Sequence, residues 1–327
     1  MMKLLSLVKQ TSAYKVISAD KKAGKLSHAY LIICSDQYYL DQYLRVLAML
    51  ITCNNIEPCI TCRSCSLIAK DSFADVDFYP KGRKEVLSED INSIVSSSYI
   101  KPIESDKRLF VISQAQTMNL SAQNKLLKTL EEPPNGVHIL IGTTTEHAIL
   151  PTVKSRSKKL EISGFSAQDL FNYLSQDYPD EVKLNEAIAC SDGLLGKAIA
   201  LYLDSSLKTV IDLVKDVFVN MHSSADVLEF SNKITKADID FNQFISVAEL
   251  FLRDMLAIFS GKQNLVKNQV VFTLLENAKG FNTGSVLYIL EKLAEARKRK
   301  KFNANPTMLI EWLLFTILEG KFKWQKL

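Results

Sequence analysis

The sequence contains no run of eighteen apolar residues, so hydropathy offers no membrane-spanning helix. Its opening, MMKLLSLVKQTSAYK, has too short an apolar stretch and too polar a sequel for a signal peptide, and we expect a cytoplasmic protein. It has no extended low-complexity tract and no internal repeat, and at 47% hydrophobic and 23% charged residues it reads as a folded chain. Net charge is small too. Forty basic against thirty-six acidic residues leave +4, compatible with nucleic acid nearby but far from the charge of a DNA-coating protein. The four histidines, His28, His138, His147 and His222, are scattered without carboxylate or nucleophile spacing, so structural roles are expected for each.

A further absence is local. The stretch HAYLIICSDQYYLDQYL (28–44) reads as an apolar strand, a polar turn and an amphipathic helix, the usual front of a phosphate-binding fold. A phosphate loop needs glycines whose neighbouring N–H groups approach the phosphates, a lysine to neutralise them, and a hydroxyl for magnesium. Ser35, Asp36, Gln37, Tyr38 and Tyr39 supply neither glycine nor lysine, and Asp36 would repel a triphosphate. The strand in RLFVISQAQTMN should end in acidic residues if it held metal or oriented water; it offers Ser113 and Gln114. Two separate losses predict a domain that hydrolyses nothing.

What is present is a length of 327 residues, enough for two or three domains. Up to about residue 163, apolar runs at Ala29–Ile33, Val76–Tyr79, Leu109–Ser113, Val137–Thr143 and Leu160–Ile162 alternate with helical patterns. Continuous apolar runs suit strands covered on both faces, hence an α/β domain with a parallel sheet. In LSAQNKLLKTLEEPPNG, Ser121 is a candidate N-cap and Ala122, Leu126, Leu127 and Leu130 form one stripe, ended by Pro133 and Pro134. A second helix from near Ser88 presents Ile91, Ile94, Val95 and Tyr99. After Gly164 the patterns are helical, over about 166–178, 180–190 and 194–203. A bundle then follows over about 206–221, 240–260, 266–279, 284–301 and 306–320, the last opened by Asn305 and Pro306. The expected division is 1–164, 165–205 and 206–327.

Four of six cysteines cluster as Cys53-x5-Cys59-x2-Cys62-x2-Cys65, which predicts a closed tetrahedral thiolate shell on a structural zinc ion. A ferredoxin-like iron–sulfur run would need a cysteine three residues beyond Cys65, where SLIAKD stands instead. The bland alternative is four unrelated thiols. Cys34 and Cys190 read as buried small hydrophobes.

Arg156, in AILPTVKSRSKKLEI, sits just before the last strand, where a guanidinium could reach a neighbouring subunit's γ-phosphate or be salt-bridged on its own surface. The run Arg297 to Lys301 could touch DNA or be a solvated helix end. Thr143, Thr144 and Thr145 read as capping and turn residues. Lys125, Lys128 and Glu131 face away from the leucine stripe, toward solvent or a subunit.

Taken in order, HAYLI, the four-cysteine insertion, NKLLKTLEEPP, LPTVKSR and RKRKKFNANPTMLIEWLL resemble the bacterial DNA polymerase III delta-prime subunits of the clamp loader. The resemblance covers nearly the whole chain. It implies an AAA+ type (RecA-like) α/β domain with a zinc module, a helical lid domain and a helical collar domain that holds a pentameric ring. It implies a stator that binds no nucleotide, assembled with gamma/tau and delta subunits as part of the polymerase holoenzyme, and acting with them on the sliding clamp and primed DNA. The family's Ser-Arg-Cys motif falls on Ser155, Arg156 and Ser157, making Arg156 a finger acting in trans, with serine replacing cysteine at 157. Gly196 stands where ATPase relatives carry a nucleotide-sensing arginine. The competing classes are an ATP-hydrolysing motor subunit and a stand-alone zinc-containing DNA-binding module.

Overall fold

The computed structural model describes residues 2–237, 239–262, 266, 280–301 and 305–323. They fall into two compact units, residues 1–176 with 193–197, and residues 177–192 with 198–327.

The first unit opens with α1 (Met2–Val8) and α2 (Ser12–Lys22), the latter capped by the Thr11 hydroxyl, which accepts the Tyr14 N–H at 3.2 Å. Neither helix was expected from the apolar pattern. There follow β1 (Ala29–Ile33), α3 (Leu40–Thr52), α4 (Arg63–Ala69), β2 (Val76–Tyr79), α5 (Ser88–Ser97), β3 (Arg108–Ile112), α6 (Leu120–Glu131), β4 (Val137–Thr143), α7 (Pro151–Ser155), β5 (Lys158–Glu161) and α8 (Ala167–Leu174).

The five strands form one parallel sheet in the order β2-β3-β4-β1-β5, with Leu31 facing Ile141 and Lys159 across its two neighbours. Both faces are covered, as the continuous apolar runs require. On one face Ala29, Leu31, Phe110, Ile112, Ile139 and Ile141 pack with Ile91 and Ile94 of α5 and Ala122, Leu126 and Leu130 of α6. On the other, Tyr30, Ile32, Leu109, Val111 and Leu140 are also buried. Gly142 of β4 shows how close α3 comes: a Cβ there would stand 2.5 Å from Leu44 Cδ1.

Several local expectations are corrected. The N-cap of α6 is Asn119, whose side chain accepts the Ala122 N–H at 2.8 Å; Ser121 lies inside the first turn and is exposed. Tyr99 lies beyond the end of α5 and is 68% exposed. Thr143 bonds within its turn, accepting the Thr145 N–H at 3.3 Å, but Thr145 makes no side-chain cap to the 3-10 turn that follows. The last strand starts at Lys158, before the apolar Leu160–Ile162, because an edge strand tolerates charged residues on its open side.

The second unit contains α9 (Glu181–Ala189), most of α10 (Leu195–Leu203), α11 (Leu207–Asn220), α12 (Ser224–Lys236), α13 (Phe241–Phe259), α14 (Thr283–Lys301) and α15 (Pro306–Lys323). Its core joins Val214 and Phe218 of α11, Phe230 and Ile234 of α12, Phe244 and Phe251 of α13, Ile289 and Leu293 of α14, and Leu313 and Ile317 of α15. Asn305 caps α15 as expected, accepting the Thr307 N–H at 3.0 Å. The α12 helix was not anticipated: Val227, Phe230 and Ile234 are a thin stripe, and what starts it is a capping box between Ser223 and Asp226. The helical pattern expected at 266–279 lies, except for residue 266, outside the described residues.

Candidate functional site

Three groups of candidate side chains are built on the first unit. The first lies at the C-terminal end of the sheet, where strands of such folds present ligands. Here the polar turn between β1 and α3 carries Asp36, only 2% exposed. Its Oδ2 accepts the Tyr43 hydroxyl at 3.1 Å and the Gly196 N–H at 2.8 Å. Its Oδ1 is buried with no partner among the described residues. Burial, reinforced by the Asp36 carboxylate, pushes the Tyr43 hydroxyl far above its ordinary range, so it stays a donor. A Cβ on Gly196 would stand 2.5 Å from Asp36 Oδ1 and 2.5 Å from Tyr38 Cβ. The first turn of α10 therefore rests directly on the loop where phosphates would be held. This contact was missed by sequence reasoning, because nothing in the chain's order links residues 36 and 196.

Beside it is a cavity of about 390 Å³ lined by Gln37, Tyr38, Asp41, Arg83, Ser113 and Gln114, among others. The structure thus brings the altered loop and the altered end of β3 together. Ser113 donates to the Tyr79 carbonyl at 3.1 Å, and Gln114, in the left-handed region at φ 57°, accepts from Gln116 at 2.6 Å. Arg83 is tied to the buried Asp90 at 2.8 Å. Nearby, burial pushes the Cys34 thiol up to about 12, and Cys190 is also buried, the small-hydrophobe role expected of both.

The second group is the cysteine cluster. Cys53 caps the C-terminus of α3, Cys62 the N-terminus of α4, and Cys65 lies in α4. The four sulfurs lie within 4.8 Å of one another, with Cys53 Sγ at 3.8 Å from Cys59 Sγ and 3.9 Å from Cys62 Sγ. A tetrahedron of sulfurs about 2.3 Å from zinc has edges of about 3.8 Å, so these residues fit a zinc ion. The Cys62 N–H donates to Cys59 Sγ at 3.3 Å and the Cys65 N–H to Cys62 Sγ at 3.5 Å. That first amide draws the Cys59 thiol down to about 6, favouring the thiolate a metal needs, whereas burial holds Cys65 up. The Lys21 ammonium anchors the module by donating to the carbonyls of Leu50, Cys53 and Asn55 at 2.5–2.7 Å.

The third group is at the opposite, N-terminal edge of the sheet. Arg156 caps the five-residue α7 just before β5. Its Nη2 meets Glu131 Oε1 at 2.7 Å, with 36% and 48% of the two side chains exposed. Its Nη1 donates to the Thr152 carbonyl at 3.1 Å, and its own carbonyl bonds His28 Nε2 at 3.0 Å. Ser155 and Ser157 use their hydroxyls locally, on the carbonyls of Thr152 and Val153. In this chain alone, Arg156 is salt-bridged on its own surface and Glu131 is its partner; Lys125 and Lys128 are exposed.

The basic run of α14 is largely neutralised within the second unit. Arg297 bonds Glu249 at 2.8 Å, Arg299 bonds Glu295 at 2.5 Å and stacks on Trp312, and Lys300 reaches Asp240 at 3.5 Å. His28 and His138 each bond a main-chain carbonyl, the structural role expected of them. Among the described residues no helix is long and apolar enough to cross a membrane.

A doubly covered parallel sheet with a polar loop after its first strand, a four-cysteine module and a helical second unit define an α/β chain with a helical remainder, and comparison with known proteins gives it relatives. The family model described as "DNA polymerase III, delta subunit" matches residues 9–166. That match spans a little under half of the chain, which is similar to clamp-loader subunits of DNA polymerase III. It is 24% identical to the DNA polymerase III subunit delta' of Bacillus subtilis, over 95% of this chain and 97% of that one. It is 25% identical to the DNA polymerase III subunit gamma of Buchnera aphidicola subsp. Schizaphis graminum over 69% of this chain, and spans only 63% of that subunit's length. Among solved structures, a DNA polymerase III gamma subunit-related protein of Thermotoga maritima is 17% identical, over 93% of this chain and 99% of that chain, with a TM-score of 0.44.

Proposed function

We propose that this clamp-loader subunit is a delta-prime-type stator: it binds and hydrolyses no nucleotide, completes the ring formed with gamma/tau and delta subunits, and presents Arg156 to a neighbour's ATP. Through that complex it would help place the sliding clamp on primed DNA in the cytoplasm. The observation that carries this reading is the occupation of the phosphate-loop position by the chain itself. Asp36 offers a negative charge where a triphosphate would need cations, and its oxygen is already bonded to the Gly196 N–H. Arg156, by contrast, is half-exposed and held by an exposed carboxylate that it can exchange for a phosphate at little cost.

Two further features fit an assembly subunit. On α15, Met308, Phe315 and Phe322 recur at seven-residue spacing and are 70%, 43% and 46% exposed. Such a stripe suits the flank of a neighbouring helix. The cysteine cluster suits a structural zinc ion, since four thiolates leave no open coordination position for water or substrate. We also read residues 165–205 as a lid and 206–327 as a collar.

The test is a magnesium-ATP titration of the isolated chain, followed by its thermal transition or by a fluorescent nucleotide analogue. No binding at millimolar ATP is expected. Measurable magnesium-dependent affinity would favour the motor-subunit reading instead. Salt-sensitive DNA binding by the isolated, zinc-loaded chain would favour the stand-alone DNA-binding reading.

A further inference from the structure

The first residue of HAYLI makes a contact away from the loop that follows its strand. His28 enters β1 at the end of the sheet away from the altered phosphate loop. A carbonyl oxygen only accepts, so the imidazole nitrogen 3.0 Å from the Arg156 carbonyl must be its N–H donor. We propose that His28 is a positioning residue for the arginine finger: its imidazole fixes the Arg156 main chain to the sheet so that the guanidinium is presented at a set place and height. The inference rests on Arg156 acting in trans.

Both sides of this bond point the same way. The donor sits on a rigid platform. The His28 carbonyl accepts the Ile139 N–H of the central strand β4 at 2.8 Å, and the Ser27 carbonyl is bonded by His138 Nδ1 at 2.8 Å. The Ser27 N–H donates to the Tyr30 hydroxyl at 2.9 Å, which donates in turn to Asp20 at 2.8 Å. Four side chains or strands thus immobilise the residue that grips Arg156.

The acceptor needs such a grip. Arg156 ends α7, a helix of five residues, too short to hold its own geometry without tertiary support. Besides the His28 contact, its peptides are held by local bonds within the turn, Arg156 N–H to Val153 at 3.3 Å and Ser157 N–H to Lys154 at 3.3 Å. The guanidinium, in contrast, pairs with Glu131 on an open surface, where ion pairs exchange readily. The main chain is fixed and the side chain is releasable, which is the mechanical requirement of a residue that must leave its own carboxylate for a partner's phosphate.

The experiment uses the reconstituted loader with DNA and clamp. ATP turnover is compared for wild type, His28→Ala, His28→Asn, His28→Gln, Arg156→Ala and the His28→Ala/Arg156→Ala double variant, at matched subunit incorporation. Glutamine can place an N–H near the position of imidazole Nε2, whereas asparagine is too short. His28→Ala and His28→Asn should each lower turnover about fivefold through kcat, in the range expected when a catalytic group is displaced by a fraction of an ångström. His28→Gln should recover most of it, and the double variant should be no slower than Arg156→Ala alone. Wild-type turnover in His28→Ala, failure of glutamine to rescue, or a double loss equal to the product of the single losses would overturn the positioning role while leaving the finger in place. Full turnover in Arg156→Ala would overturn the finger reading itself, whatever His28 does.

Discussion

The two ends of one sheet have diverged. At the C-terminal end, the elements that would surround a nucleotide are all present, but Asp36, Gly196, Ser113 and Gln114 turn their polar groups on each other and on the chain. At the N-terminal edge, Arg156 keeps a half-exposed guanidinium on a braced main chain. A closed site needs only complementary internal bonds. A site meant for a neighbour must keep its donor within reach of solvent. Under the proposed function, the fold serves for what it presents to others.

Four changes would break or sharpen that contrast. The largest effect is expected from metal removal, which bears on the helix running from the closed end to the cysteines. Chelation, or Cys59→Ser, should release one zinc equivalent. It should also abolish the order of residues 53–65, since structural zinc binding contributes on the order of 10 kcal/mol, as read by metal analysis and limited proteolysis. Retained protease resistance in the metal-free chain would show that the module folds on its own core.

Next is Gly196→Ala, which forces a methyl group against Asp36 and Tyr38 and should cost about 2–3 kcal/mol in denaturant unfolding. A neutral result would mean that α10 does not rest on the loop. Asp36→Ala should follow at about 2 kcal/mol, because it strands the buried Tyr43 hydroxyl and the Gly196 N–H; it should not create ATP affinity, since glycines and lysine are still missing. Smallest is Glu131→Ala at the open edge, expected to change stability by less than about 1 kcal/mol, as exposed ion pairs do. A loss as large as that of Asp36→Ala would mean that Arg156 is a structural arginine and would erase the difference between the two ends.

Much of this was legible in the sequence because it rests on short-range rules. The runs at Val76–Tyr79 and Val137–Thr143 are strands with those same bounds, since a strand buried on both faces must be apolar throughout. Four closely spaced cysteines had few ways to avoid one another, and their sulfurs lie together. Other features depended on competition between neighbours. Asn119 and Ser121 are both fair caps, and Asn119, with extended backbone, is the one that takes the role. α12 depends more on its capping box than on its apolar stripe. What lay beyond the sequence was pairing across long separations: Asp36 with Gly196, Arg156 with Glu131, and His28 with the Arg156 carbonyl. Each is set by how distant elements pack together in the tertiary fold, which no single segment encodes.

The most direct test of the central claim is the DNA- and clamp-stimulated ATPase activity of the reconstituted loader with wild type and with Arg156→Ala, at equal incorporation of the subunit. The account predicts an intact complex whose turnover falls at least tenfold, on the order of what a missing transition-state cation costs. Unchanged turnover in an intact complex would contradict it, leaving this chain a scaffold and Arg156 a surface arginine paired with Glu131.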